Sequence, residues 1–236
     1  RPLGRPAAGY IELHIEQGPL LERQGALIGV VEGIQGTRWL EVTIEGQVAH
    51  AGTTPLADRR DAMAVAATVI ARLQATVMPS DSDARLTVGR LTLAPGAVNV
   101  IPGEVTFSID LRHPNGAEID RLEAEIGALA AETAASGGCR VSLRRSMDVA
   151  PAHFDDRLIG IIQSVAEKRG FPTRRMFSGA FHDALFMARL GPAAMVFVPC
   201  RNGLSHNEAE YVEPHQAVAG TQVLCDATLE AMQLGE

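Results

Sequence analysis

A chain of 236 residues is long enough for one large domain or two small ones. Its composition, 46% hydrophobic and 21% charged, is that of an ordinary globular protein, and a formal charge of -7 argues against a nucleic-acid partner, because phosphate binding calls for a basic surface. No apolar run approaches the roughly 18 residues of a membrane span. Three dispersed cysteines (Cys139, Cys200, Cys225) without a CxxC pair fit a reducing cytoplasm better than a disulfide framework or a zinc knuckle. The opening RPLGRPAAGY has no apolar core and no initiating Met, so it predicts no signal peptide and reads as the start of a fragment.

In chain order, Tyr10–Ile15 predicts a short strand, 18–23 a helical turn, and 26–33 a buried strand. Around Leu40, Val42 and Ile44 the apolar residues alternate with Glu41, Thr43 and Glu45, the pattern of a strand with one wet face. Helical spacing of Ala62, Ala66, Val69, Ile70, Leu73 and Val77 predicts a helix over 57–77. Strands follow at 85–93 and 104–112, then a helix carrying Ile119, Leu122, Ile126 and Leu129, and a strand at 140–144. From about 36 to 147 the order is βαββαβ, a ferredoxin-like α+β arrangement complete in itself. Helix 154–169, strand 174–178, short helix 182–189, strand Ala193–Val198 and a closing helix over 214–233 alternate as in α/β folds, which predicts a parallel sheet. The expected architecture is an α/β domain in two pieces (1–34 and 151–236) interrupted by an inserted α+β domain (35–150).

Several residues have the chemistry of a site. On the first strand, Glu12, His14 and Glu16 share a face by the two-residue period, and carboxylates flanking an imidazole orient it as a ligand. A histidine inside a strand is more often part of the core. His206, in GLSHNEAE, follows an apolar strand and sits where α/β sheets place ligands; a loop histidine capping a backbone group is the bland alternative, and Glu208 and Glu210 are partners or solvated charges. In AHAGTTP, small neighbours leave His50 accessible as a general acid or oxyanion donor, or it is a turn histidine. Asn99 in NVIPG and Arg112 in DLRHP flank opposite ends of one strand, and the Arg112 fork suits bidentate recognition of a carboxylate, unless it is a plain surface arginine. In SGAFHDA, His182 and Asp183 follow Gly179 at an expected helix start, where Asp183 could merely serve the helix dipole.

The strings ELHIEQGP, AHAGTTP, RRDA, NVIPG, DLRHP, SGAFHDA and GLSHNEAE occur in this order, and together they resemble the C-terminal part of the hydantoinase/carbamoylase amidases, which include N-carbamoyl-L-amino-acid hydrolases and allantoate amidohydrolases. The resemblance runs from about Gly9 to the last helix. It implies a hydrolase cutting a linear amide or ureido C–N bond in a small carboxylated substrate with two divalent metal ions (Zn, or Mn, Co or Ni) per complete site. Residue by residue, it implies that His14 binds one metal and His206 the other. It implies that His50 polarises the scissile carbonyl in a neighbouring subunit's site, that Asn99 and Arg112 hold the substrate, and that Gly179 and His182 line the pocket. It further implies that the inserted domain is a lid through which a homodimer forms.

This sequence departs from the family pattern. The remaining ligands and general base come from an upstream His-x-Asp, a bridging Asp and a Glu-Glu pair; none of these motifs is found here, so the isolated chain is expected to be inactive and to hold metal poorly. Phe181 stands where the family has Gly, and Cys200 where it has Ser. A catalytically inactive dimerising fragment, a dipeptidase- or aminoacylase-like metallopeptidase and a stand-alone ligand-binding module are the alternatives.

Overall fold

The computed structural model describes residues 8–233; the proline-rich start, residues 1–7, lies outside them. Contacts divide the chain into two compact units, one formed by the residues up to Gln35 together with those from Ala152 onward, the other by Gly36–Pro151.

The first unit contains β1 (Tyr10–Ile15), α1 (Leu20–Gln24) and β2 (Ile28–Ile34). The second unit adds β3 (Gly36–Glu45), β4 (Ala49–His50), α2 (Ala62–Ser80), β5 (Arg85–Ala94), β6 (Val100–Ile101), β7 (Glu104–His113), α3 (Gly116–Ser136) and β8 (Arg140–Val149). The chain then re-enters the first unit with β9 (Ala152–His153), α4 (Asp156–Lys168), β10 (Thr173–Ser178), α5 (Ala184–Met187), β11 (Ala193–Val198) and α6 (Pro214–Gln233).

The sheet of the first unit runs β1-β11-β2-β10, with β9 joined to the end of β2. The parallel sheet expected from alternating helices and strands is only partly realised. β1 and β11 are parallel, as are β10 and β2, but β11 and β2 are antiparallel. The cause is the connection after β1. α1 has five residues, about 7.5 Å of helix, against about 20 Å for the six-residue β1, so it cannot carry the chain back to the starting end of the sheet. β2 therefore runs back. β11 is buried along its whole length, as expected of a central strand between two neighbours.

In the second unit all pairings are antiparallel in the order β5-β7-β3-β8. Leu40, Val42 and Ile44 of β3 and Val105, Phe107, Ile109 and Leu111 of β7 point to one side, where they form one buried cluster with Val65, Val69 and Leu73 of α2 and Ile119, Leu122 and Ile126 of α3. Asp61 caps α2 through the backbone N–H groups of Met63 and Ala64, which is why the helix begins later than its periodicity predicts; residues 56–58 form a separate 3-10 turn. α2 is the most apolar of the long helices among the described residues. Within its 19 residues an 18-residue stretch has a mean hydropathy of 1.4, long and apolar enough for a span by composition alone, because Ala and Val outweigh the interrupting Arg72 and Gln74. Its apolar stripe packs in the core just described. β8 continues well past the predicted end at 144, since a bulge opposite Trp39 and Leu40 breaks the alternation there.

Candidate active site

β1 and β11 are parallel, and His14 lies opposite Phe197 near the carboxyl end of that pair. The chain leaves β1 through Glu16–Gln17–Gly18–Pro19 and leaves β11 through Cys200 and the loop to His206, so both loops emerge at the same end of the sheet. Named contacts then stitch one loop to the other. The Gln17 amide donates to Ser205 Oγ at 2.8 Å, the Asn202 N–H donates to Glu22 at 2.8 Å, and the buried Cys200 thiol lies 3.8 Å from the Gly18 carbonyl. Gly203, at φ +66°, sits against the same turn: a Cβ there would lie 2.6 Å from Pro19 N, so this approach requires glycine. Gln17 and His206 themselves occupy left-handed backbone, with φ of 59° and 55°, a conformation that costs a non-glycine residue about 1 kcal/mol or more.

These loops bring His14 and His206, 192 positions apart in the sequence, into one open cleft of about 420 Å³ lined also by Ile15, Gln17 and Glu210. His14 Nδ1 lies 3.0 Å from the Ile15 carbonyl oxygen, which can only accept, so the ring proton is assigned to Nδ1 and Nε2 carries the lone pair. The Gln17 amide approaches His206 Nε2 at 3.4 Å, a long donor contact to a second lone pair. The Glu210 carboxylate accepts from the His206 N–H at 3.1 Å, and its pKa is held below the usual carboxylate range, first by the Ser205 hydroxyl and then by that N–H. Glu208 is exposed. Sequence reasoning passed over Gln17, since its role depends on a left-handed turn that no periodicity reports.

The carboxylates expected to flank His14 are engaged elsewhere. Glu16 is buried and caps α1, accepting from Leu20 N and Leu21 N at 2.8 Å each. Glu12 accepts from the Ala184 N–H at 2.8 Å and from the Tyr10 hydroxyl at 3.3 Å, so it caps α5 in place of Asp183, whose side chain makes no cap. His182, expected to line the pocket, is closed off: its side chain is 2% exposed, and its ring packs edge-on against His14 at 4.5 Å between centroids and against Phe197 at 5.5 Å. Nε2 meets Ser178 Oγ at 2.9 Å. Burial pushes this imidazole down to about 4, and the His14 ring acts in the same direction. Its route to the cleft is through His14. Gly179 is exposed, Phe181 is 41% exposed, and the preceding turn closes through Ser178 Oγ and Ala180 N–H despite that bulky residue. As a cation site the ligand number falls short: among the described residues no three His, Cys, Asp or Glu side chains group to hold a metal.

In the second unit, β4 and β6 form a two-stranded ribbon pairing His50 with Val100, and the Ala51 N–H donates to the Asn99 carbonyl at 3.0 Å. His50 and Asn99 are thereby neighbours, both exposed. His50 Nδ1 accepts from the Gly52 N–H at 3.0 Å, so the neutral ring bears its proton on Nε2 and presents a donor. Arg59, another residue not singled out beforehand, clamps the following turn by donating to the carbonyls of Thr54 at 3.0 Å and Ala51 at 2.6 Å. Arg112 lies far from this ribbon. It pairs with Thr37 near the other end of β7, and eight residue steps from Glu104 amount to about 27 Å. Asp110 grips its guanidinium at 2.8 and 2.7 Å, and this carboxylate raises its pKa.

The family model for peptidase family M20/M25/M40 matches residues 3–230. The chain belongs to that family. Among its relatives it is 38% identical to the N-carbamoyl-L-amino-acid amidohydrolase of Rhizobium meliloti over 232 residues, 98% of this chain and 56% of the relative. It is also 38% identical to the allantoate amidohydrolase of Bacillus subtilis (strain 168), covering 93% of this chain and 53% of that protein. A solved amidase of the hydantoinase/carbamoylase family from Burkholderia multivorans superposes with a TM-score of 0.91 at 41% identity, over 97% of this chain and 56% of that one. The chain thus spans about half the length of the curated relatives it matches.

Proposed function

We propose that this M20-family chain is part of a metal-dependent hydrolase that cleaves a linear amide or ureido C–N bond in a small carboxylated substrate, an N-carbamoyl-L-amino acid or allantoate. The observation that carries the reading is the cleft shared by His14 and His206, whose loops are tied together by Gln17, Ser205 and Gly203. His14 ligates one divalent ion (Zn, or Mn, Co or Ni) and His206 the other, while the remaining ligands and the general base belong to sequence outside these residues. When bound, such ions supply Lewis-acid polarisation and an activated water. The chain's own part is positional: the Ile15 carbonyl fixes the His14 tautomer with its Nε2 lone pair available, and buried His182 braces that ring.

His50 polarises the scissile carbonyl through its Nε2 proton, Asn99 and Arg112 hold the substrate, and Gly179 contributes to the pocket wall. The second unit is a ferredoxin-like lid and the surface of a homodimer. The length of β7 supports this: Arg112 stands about 27 Å along the strand from Glu104, the end nearer the ribbon that carries Asn99, a longer reach than a small substrate has. Two copies are needed if both act on one substrate. The enzyme is placed in the cytoplasm, in keeping with its three free cysteines. Peptide-bond hydrolysis is the second reading, favoured by the peptidase family model.

The test is hydrolysis by the complete protein of N-carbamoyl-L-amino acids, allantoate and dipeptides in parallel, before and after chelation. Cleavage of a ureido substrate that chelation abolishes, and that His14→Ala and His206→Ala each remove, is the expected result. Undiminished activity in both variants would end the metal reading, and cleavage of dipeptides alone would favour the second.

A further inference from the structure

The helix-free face of the second unit's sheet is polar almost throughout. Along β3, Glu41 bridges Arg90 and Arg144, the Thr43 hydroxyl meets Thr106 at 3.0 Å, and Glu45 pairs with Arg140. Trp39 breaks the pattern. It is 43% exposed although tryptophan loses more by exposure to water than most side chains. It lies on the same face by the two-residue period, directly opposite Asp110 on β7 and Met147 on β8. Arg112 is one row further along, opposite Thr37, and its two bonds to Asp110 draw the guanidinium back toward the Trp39 row and fix its plane. Diagonal neighbours on adjacent strands lie about 7–8 Å apart, within reach of an aromatic side chain. A guanidinium of fixed plane and a half-exposed indole therefore stand side by side on one sheet face.

Resting on the amidase reading and on the role given there to Arg112, we infer that Trp39, with Met147 beside it, is the specificity-determining contact for the substituent on the substrate's α-carbon. The juxtaposition selects an α-ureido acid with an apolar, above all aromatic, side chain. With the carboxylate held at Arg112, the α-carbon stands next to the guanidinium, and its side chain extends over the indole. Stacking on that ring removes apolar surface of both partners from water. Allantoate fits this subsite badly, because its α-carbon carries two ureido groups and no apolar substituent, and covering the indole with a ureido group strips that group of its water without a partner. Asp110 is a positioning residue here, acting through Arg112.

The experiment compares kcat/KM for N-carbamoyl-L-phenylalanine and N-carbamoylglycine in the complete, metal-loaded enzyme and in Trp39→Ala and Trp39→Phe. The wild type is expected to favour the phenylalanine derivative. Trp39→Ala should shrink the ratio on the order of 10- to 100-fold, the range open to a lost apolar contact, while Trp39→Phe retains most of it. Because the readout is a ratio within one preparation, partial misfolding cancels. A ratio unmoved in Trp39→Ala, in an enzyme that hydrolyses both substrates, would overturn the subsite and leave the amidase reading intact. A wild-type enzyme that hydrolyses neither would overturn both.

Discussion

His14 in one unit and His50 in the other are held in opposite tautomers. In the cleft, the Ile15 carbonyl accepts a hydrogen bond from His14 Nδ1–H and leaves Nε2 as an acceptor; in the ribbon, the Gly52 N–H donates to Nδ1 of His50 and leaves Nε2 as a donor. One backbone group, a carbonyl in the first case and an N–H in the second, decides whether the same side chain suits a cation or a developing negative charge. The scaffolds differ as well. His14 ends a strand and depends on a distant loop to complete its surroundings, whereas His50 sits in a local turn clamped by Arg59 nine residues on.

The largest expected effect tests the donor half of this contrast. His50→Ala should lower kcat by about 10²–10³-fold with little change in metal content, as for loss of an oxyanion donor, and His50→Gln, which keeps an N–H, should recover part of it. Equal metal loss in both variants would place His50 with the ligands instead. A smaller effect sharpens the contrast in scaffolds. Gly203→Ala forces a Cβ against Pro19 at positive φ and should cost about 2 kcal/mol while unseating the His206 loop. At Gly52 an added Cβ meets only the His50 ring, at 3.4 Å, so Gly52→Ala should stay within about 0.5 kcal/mol. Denaturant titrations of the two variants side by side decide it, and similar losses would show that the cleft is no more dependent on its distant loop than the ribbon is on its turn.

How legible each region was follows from the same difference. The second unit was readable nearly strand by strand: Val105, Phe107, Ile109 and Leu111 alternate cleanly because one face of their sheet is covered by helices and the other is polar. Where its alternation failed, at the bulge opposite Trp39 and Leu40, the strand's end was missed. In the first unit the buried β11 carries no alternation, and its antiparallel pairing with β2 turned on the length of α1 rather than on any residue pattern. His14 and His206 stood out through the strings around them. The fates of Glu12 and Glu16 did not, since a two-residue period places carboxylates on a face without saying which N–H groups will reach them first. Nor did it reveal that the His182 ring would be buried behind His14.

The central claim is most directly tested by counting metal ions bound to the complete protein by elemental analysis after equilibration with excess Zn²⁺ and removal of the unbound metal, for the wild type, His14→Ala and His206→Ala. Two ions per chain are expected in the wild type, with each substitution lowering occupancy at its own position. Full occupancy in both variants would contradict the claim.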